Sequence, residues 1–445
     1  MSVLGRAAAF FFALHGALSP ALSRAQPTLP ATSAVAAVPQ VSATSEPDIT
    51  EYRLSPEKAR EAARLYRIRK VLYATRITWG IAALLLLLEL RIGARYRDWA
   101  EAVGRRSLLQ AAVFVPLISI SLGILNLPLG IYGHHLQMAY GFSVQGWPSW
   151  LWDWTKGQFI EIVLMTPLTW GFYAILRHAA RRWWLLAWAG AVPVVVMLVF
   201  LQPLVIDPIF NKFEPLEVRR PVLAEQIEKV VHRAGLEIPR SRMFEMRASE
   251  KVTTYNAYVT GIGASKRVVV WDTTARDLPL PQILFIFGHE QAHYVLNHIW
   301  IGVGATLLGL LLCLWIAHRA IGFLLTLRGA RWGIRGVSDW ASLPALLLLA
   351  SAMQFLAEPV GAGLSRCLEH QADIYALEII HDLVPDSSQA AARAFQRLGE
   401  KALAVPNPDP LFVFWTSGHP PIAERIRFAL AYRPWSEGRR PRYIQ

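Results

Sequence analysis

Residues 281–293 read Pro-Gln-Ile-Leu-Phe-Ile-Phe-Gly-His-Glu-Gln-Ala-His, and the order of these residues governs how the rest of the chain is read. Pro281 followed by the apolar run Ile283–Phe287 predicts a helix that carries the polar end. A spacing of four puts His289 and His293 on one face of that helix, about one turn apart. Two imidazoles so placed can share one zinc ion at about 2.0–2.1 Å each. Glu290 lies on an adjacent part of the helix surface, from which its carboxylate reaches an attacking water instead of the metal. That is the general base a metallopeptidase needs.

A catalytic zinc usually takes three protein ligands and keeps one position open. Residues 365–373 read Ser-Arg-Cys-Leu-Glu-His-Gln-Ala-Asp. Glu369 and Asp373 share a helix face, so Glu369 can supply the third ligand. Asp373 can accept the second ring N–H of a ligand histidine and fix its tautomer. His298 and His370 lie close by and are read as structural, since three protein ligands suffice. His298 is expected to turn away from the ligand face. The expected cofactor is one Zn2+ per chain.

The chain of 445 residues is 54% hydrophobic and only 17% charged, with a net charge of +13. Soluble domains carry about 25% charged residues, and here the apolar excess is gathered into blocks. Six candidate membrane spans emerge, at 71–90, 107–131, 157–176, 183–206, 299–325 and 341–364. No nucleic-acid motif accompanies the basic charge. The arginines cluster beside the apolar blocks, which suits anionic lipid headgroups. The expected partners are therefore the bilayer and a peptide or protein substrate, not nucleic acid. The two cysteines, Cys313 and Cys367, form no zinc spacing and no disulfide framework.

Two spans, 299–325 and 341–364, separate His293 from Glu369, and two crossings return the chain to the face it left. Both metal-binding elements are thus expected on one side of the membrane. Loops 91–106, 177–182 and 318–339 are rich in arginine, and the positive-inside rule puts them in the cytoplasm. The segments 207–298 and 365–445 then face the other way. The basic stretch 58–70 runs against this orientation. Arg76, Glu89, Glu161 and Glu358 fall within spans, where they either snorkel near the ends or face a wet interior.

The remaining organisation follows from composition. Residues 1–25 read as an export signal, with Arg6, an apolar stretch and Ser23-Arg24-Ala25 before Gln26; the alternative is a first transmembrane helix. Residues 26–54 read as a flexible linker rich in Pro, Ala, Ser and Thr. An amphipathic helix from Ser55 and four spans fill 55–206. The first peptidase part is 207–298, two spans fill 299–364, and the second peptidase part is 365–445. Within the first part, Pro221–Ala234 reads as an amphipathic helix. Val252–Val259 and Arg267–Trp271 read as strands joined by a turn at Gly261 and Gly263.

At this point the chain resembles the integral-membrane CAAX prenyl endopeptidases, the type I CAAX proteases of the zinc gluzincin class. The ordered matches include Leu127-Pro128-Leu129 with Tyr132, Asn211-Lys212-Phe213 with Pro215-Leu216-Glu217, and Asn256-Ala257-Tyr258 with Gly261. They continue through Ser265-Lys266-Arg267, Asp272-Thr273, the His289 motif with Asn297-His298, Ser365-Arg366 to Asp373, and His419-Pro420 with Arg425. The resemblance implies a mostly α fold: a polytopic membrane α-helical barrel around a water-filled chamber, with a gluzincin-type zinc metallopeptidase domain and a small β-hairpin or sheet. It implies Glu369 as third ligand. It also implies pairing of Asn256, Ala257 and Tyr258 with an extended substrate, and His419 as a stabiliser of the tetrahedral intermediate. The chain departs from eukaryotic members in its leader and in its orientation. The absence of sequons and the abundance of Ala, Arg and Leu point to a bacterial inner-membrane protein with a periplasmic zinc site. The expected function is hydrolysis of peptide bonds in membrane-associated or lipid-modified proteins. Membrane-protein quality control on the same fold, and a non-catalytic zinc-stabilised lipid or peptide binder, are the alternatives.

Overall fold

The computed structural model describes residues 47–261 and 266–444. The export signal at 1–25, most of the linker and the turn at Gly263 lie outside the described residues. Among the described residues, five helices are long and apolar enough to cross a membrane. We label them with their neighbours as α1 Pro56–Glu89, α2 Ile92–Val103, α3 Ser107–Ala139, α4 Trp147–His178 and α5 Trp183–Leu201. There follow α6 Pro221–Arg233, α7 Leu280–Val295, α8 His298–Trp332, α9 Leu343–Ile379, α10 Ser387–Ala402, α11 Pro410–Thr416 and α12 Ile422–Ala431. The long five are α1, α3, α4, α8 and α9. The sixth expected span is the shorter α5, continued by a π-helical turn at Gln202–Ile206. The protein is a multi-pass integral membrane protein.

These helices touch in the order α1, α3, α4, α5, α8, α9 and back to α1, which closes a ring. Only 17–33% of the residues in the apolar window of each long span are buried. A solid bundle would hide more, so the ring is a barrel one helix thick. Its helices outrun the bilayer, since about 20 residues suffice to span it at 1.5 Å per residue. The basic stretch 58–70 belongs to the same continuous helix as the first span. It does not dangle at a membrane face. Lys58 pairs with Glu400 at 2.9 Å and Lys70 with Asp409 at 3.1 Å, while Ala62 and Leu65 pack on Leu403. Part of its charge is therefore answered by the peptidase segment, which accounts for its disagreement with the loop rule.

The arginine-rich loops meet at one end of the ring. Arg91 donates to the Arg331 carbonyl at 2.8 Å and Arg335 to Glu101 at 2.8 Å. Beneath them Arg97 and Asp339 form a pair at 2.7 Å, each side chain 6% exposed. At the opposite end Lys251 of the peptidase segment pairs with Asp153 of α4 at 3.0 Å, also buried. Of the charges expected inside spans, Glu89 pairs with Arg331 at the loop end. Glu358 accepts from Tyr73 at 2.6 Å, and Glu161 is buried beside Gln158 at 3.1 Å.

The sheet has four short strands in the order β1-β2-β4-β3: β1 Phe213–Pro215, β2 Met243–Met246, β3 Ala257–Thr260 and β4 Arg267–Trp271. Sequence reading found the antiparallel β3–β4 pair but began β3 too early. Residues 252–256 are instead tied down by local bonds. Val252 bridges to Ser143, and Asn256 exchanges bonds of 2.8 Å with Thr274. The end of the expected linker is likewise packed. Tyr52 is 6% exposed, its hydroxyl bonds to Ala404 at 2.8 Å, and the Ile49 amide bonds to Gln389 at 3.0 Å.

The Arg97–Asp339 pair yields a clean test. Arg97→Met leaves a buried carboxylate without its guanidinium and should cost about 3–5 kcal/mol. Thermal unfolding in detergent should show a large fall in Tm, largely restored in Arg97→Met/Asp339→Asn.

Candidate active site

Helix α7 begins at Pro279-Leu280-Pro281, where proline in the first turn forfeits no hydrogen bond. Its apolar run Ile283–Phe287 is buried in the peptidase core. Gly288 then faces α9 at close range. A Cβ there would stand 2.8 Å from Ile379 Cγ2. This crossing brings the polar end of α7 against the polar middle of α9.

The structure brings His289, His293 and Glu369 together. The two Nε2 atoms are 3.3 Å apart. Glu369 Oε2 is 3.2 Å from His289 Nε2, and Oε1 is 3.5 Å from His293 Nε2. Donor atoms bonded to one ion at about 2.0–2.1 Å in a tetrahedron stand about 3.3 Å apart. These three separations fit that arrangement. Glu369 is 1% exposed, and its Oε2 has no hydrogen bond. A buried acceptor with three imidazole or guanidinium nitrogens around it, at 3.2–3.7 Å, is a place where a cation belongs. The charge balance agrees. Burial alone would lower the His289 pKa, but the carboxylates of Asp373 and Glu369 prevail and raise it to about 10. Burial, with His289 beside it, lowers His293 to about 3.

Both imidazoles are held from behind. Asp373 Oδ1 lies 2.9 Å from His289 Nδ1, and Arg425 grips both oxygens of Asp373 at 2.6 and 2.8 Å. His293 Nδ1 lies 3.1 Å from Nδ1 of His298, whose Nε2 is 3.4 Å from Gln371 Oε1. A ligand that offers Nε2 to the metal carries its proton on Nδ1. The chain therefore reads His293 N–H to His298, and His298 N–H to Gln371. His298 is fully buried and faces the ligand, not away from it. His370 packs instead on Phe428, with ring centroids 4.4 Å apart. His298 and Arg425 thus touch the site, although neither had been given a role there. Tertiary folding alone brings Arg425 close, 136 residues from His289, and the left-handed turn at Asn297 hides where His298 points.

Glu290 is partly buried and makes no hydrogen bond or ion pair among the described residues. Burial pushes its carboxyl up to about 7. His419 follows α11, and its Nε2 lies 3.3 Å from Glu369 Oε2 with 41% of the side chain exposed. Surrounding protein still dehydrates the ring, and that burial lowers its pKa to about 4. Arg366 fixes the preceding loop by donating to the Ser417 carbonyl at 2.6 Å and the Val413 carbonyl at 3.1 Å. Asn256, Ala257 and Tyr258 do not join the cluster. They lie at the start of β3, the end strand of the sheet, which packs beside α7.

A histidine pair one helical turn apart, closed by a glutamate from a second helix, defines a metallopeptidase, and the ring of spans makes it an integral-membrane one. Comparisons give the same answer. Residues 217–433 match the model for peptidase family M48. Residues 38–212 match that for the CAAX prenyl protease N-terminal region with five membrane helices. The chain is 32% identical over 393 residues to the uncharacterized metalloprotease YhfN of Bacillus subtilis, covering 88% of this chain and 90% of that one. It is 28% identical to CAAX prenyl protease 1 of Saccharomyces cerevisiae over 71% of each chain. The crystal structure of S. mikatae Ste24p shares the fold, with a TM-score of 0.74, 22% identity, and coverage of 97% of this chain and 98% of that one. The chain belongs to the integral-membrane CAAX prenyl protease family of M48 metallopeptidases.

Asp373→Asn should lower metal affinity about 10–100-fold, because the ligand imidazole loses its charged anchor. Competition with a chelator of known affinity would measure it. Gly288→Ala should separate α7 from α9 and cost about 1–3 kcal/mol, read as a fall in Tm with and without added metal.

Proposed function

We propose that the chain is a zinc endopeptidase in which His289, His293 and Glu369 hold the ion and Glu290 is the general base. The three-donor cluster at 3.2–3.5 Å carries this reading. Zinc, when bound, would supply Lewis acidity toward the scissile carbonyl and toward water. Glu290 takes the proton from the attacking water and returns it to the leaving amine. Its elevated pKa, a result of burial, suits both halves of that transfer. His419, part-exposed beside Glu369, donates to the oxyanion as the carbonyl becomes tetrahedral. Asp373, with Arg425 behind it, keeps the His289 proton on Nδ1. The end strand β3 offers its open side to an extended peptide, with Asn256, Ala257 and Tyr258 nearest the start of the pairing.

The substrate class follows from the setting. A site at the end of a membrane barrel meets chains that are themselves anchored in the bilayer. Relatives named CAAX prenyl proteases act on prenylated proteins by their names. For this chain we propose membrane-associated or lipid-modified proteins in general, without a requirement for a prenyl group. The arginine-rich loops at the opposite end support a bacterial inner-membrane location with the zinc site toward the periplasm. Residues 207–298 and 365–445 then form the peptidase half, and 55–206 with 299–364 the membrane half.

Glu290→Gln should keep bound zinc and lose about 10²–10⁴-fold in hydrolysis. Metal content and cleavage of a quenched peptide in the same preparation test this, and full activity in the variant would sink the assignment. His419→Phe should reduce kcat about 10²–10³-fold with little change in KM.

A further inference from the structure

The loop end of the ring carries a second concave site, separated from the metal cluster by the length of the spans. A cleft of about 580 Å³ opens between the end of α2, the first turn of α3, the last turns of α4 and residues 335–340. That volume lies within the range of about 300–1,000 Å³ typical of small-ligand sites.

The charges around it do not balance. Arg105, Arg177 and Arg335 line the cleft together with the carboxylates of Glu101 and Asp339. Both carboxylates are already engaged. Glu101 accepts from Arg335 at 2.8 and 2.9 Å. Asp339 accepts from Arg97 at 2.7 Å and from the Arg335 amide at 2.9 Å. Arg105 and Arg177 have no carboxylate partner among the described residues. Arg177 is held in place instead by stacking, 4.5 Å over the Trp340 ring. Ser107 accepts from Trp170 Nε1 at 3.1 Å, which leaves its hydroxyl hydrogen to donate. The cleft therefore presents two guanidinium groups with no carboxylate in direct contact and a hydroxyl donor, a set that matches a phosphate group.

Two exposed leucines lie next to the cleft in sequence, outside its lining: Leu108 and Leu109 follow Ser107 on α3 and are 51% and 47% exposed. A ligand seated on the arginines would lay any attached hydrocarbon along them. We propose that this cleft binds the phosphodiester headgroup of an anionic phospholipid, held by Arg105, Arg177 and Ser107, with an acyl chain against Leu108 and Leu109. Basic pockets between spans on the arginine-rich face of a membrane protein suit this ligand, because the facing leaflet is the anionic one.

The test uses the full chain in detergent and native mass spectrometry, titrated with phosphatidylglycerol, with phosphatidylcholine and with millimolar inorganic phosphate. Phosphatidylglycerol should bind at least about tenfold more tightly than phosphatidylcholine. Inorganic phosphate should not displace it. Arg105→Gln/Arg177→Gln should abolish the preference, whereas Arg181→Gln/Arg182→Gln, on the neighbouring loop outside the cleft, should keep it. Equal losses in the two double variants would mean diffuse charge attraction and overturn the proposal. Phosphate binding without a lipid preference would assign the cleft to a free anion and also overturn it. Should the first double variant not fold, the exposed Arg105→Gln alone decides: an unchanged lipid preference refutes the site.

Discussion

At Gly288 the backbone of α7 comes so near α9 that an added Cβ would meet Ile379 Cγ2 at 2.8 Å and Ala376 Cα at 3.5 Å. No side chain could be inserted there without moving one helix off the other. On α9 and its C-cap the residues that answer this approach fall on one stripe: Glu369, Asp373, Ala376 and Ile380, spaced four, three and four apart. The apolar half of the stripe seals the crossing, and the polar half meets the histidines of α7. A small residue at one position thus sets the distance between a carboxylate and two imidazoles on segments separated by a pair of membrane crossings. The guanidinium of Arg425 sits over the Phe395 ring at 4.3 Å and completes the charge balance around Asp373.

The membrane ring and the peptidase half are joined by polar contacts at depth, not by a continuous apolar core. The peptidase core and the core at the loop end are separate clusters. Between them, the buried pair of Lys251 with Asp153 spans the junction, while Tyr73 with Glu358 ties α1 to α9 within the ring. Buried pairs of this kind contribute little net stability but tolerate no loss of one partner. They fix the register of the two halves, which apolar packing in a thin helical ring would leave less sharply defined.

Much of this arrangement was legible in the residues themselves. The His-Glu-Gln-Ala-His spacing announces a helix face bearing two imidazoles, and an even number of spans before Glu369 returns it to the same side. The apolar blocks predict the spans because nothing else buries so many Leu and Val in runs. The less legible parts have physical reasons. β1 and β2 are three and four residues long, too short for alternation to rise above chance. Val252–Asn256 has strand-like residues, but threonine hydroxyls and a bridge to Ser143 capture its backbone first. His298 opens a new helix after Asn297 adopts a left-handed φ of 58°, so counting along α7 could not foresee where its ring points. The role of the basic stretch 58–70 depends on acidic residues about 340 positions later in the chain.

That last kind of contact bears on how the molecule is assembled. Tyr52 fills the space over Gly399, where a Cβ would meet its ring at 2.6 Å, and the Ile49 amide finds its acceptor 340 residues downstream. Loop closure over such a separation must wait until the ribosome has delivered residues 389–404. The Ile49–Tyr52 segment therefore emerges long before α10 and docks only after α10 has been made. The hydrogen-bonded strap across α10 is a closing step of biogenesis, formed only after the spans between have been inserted.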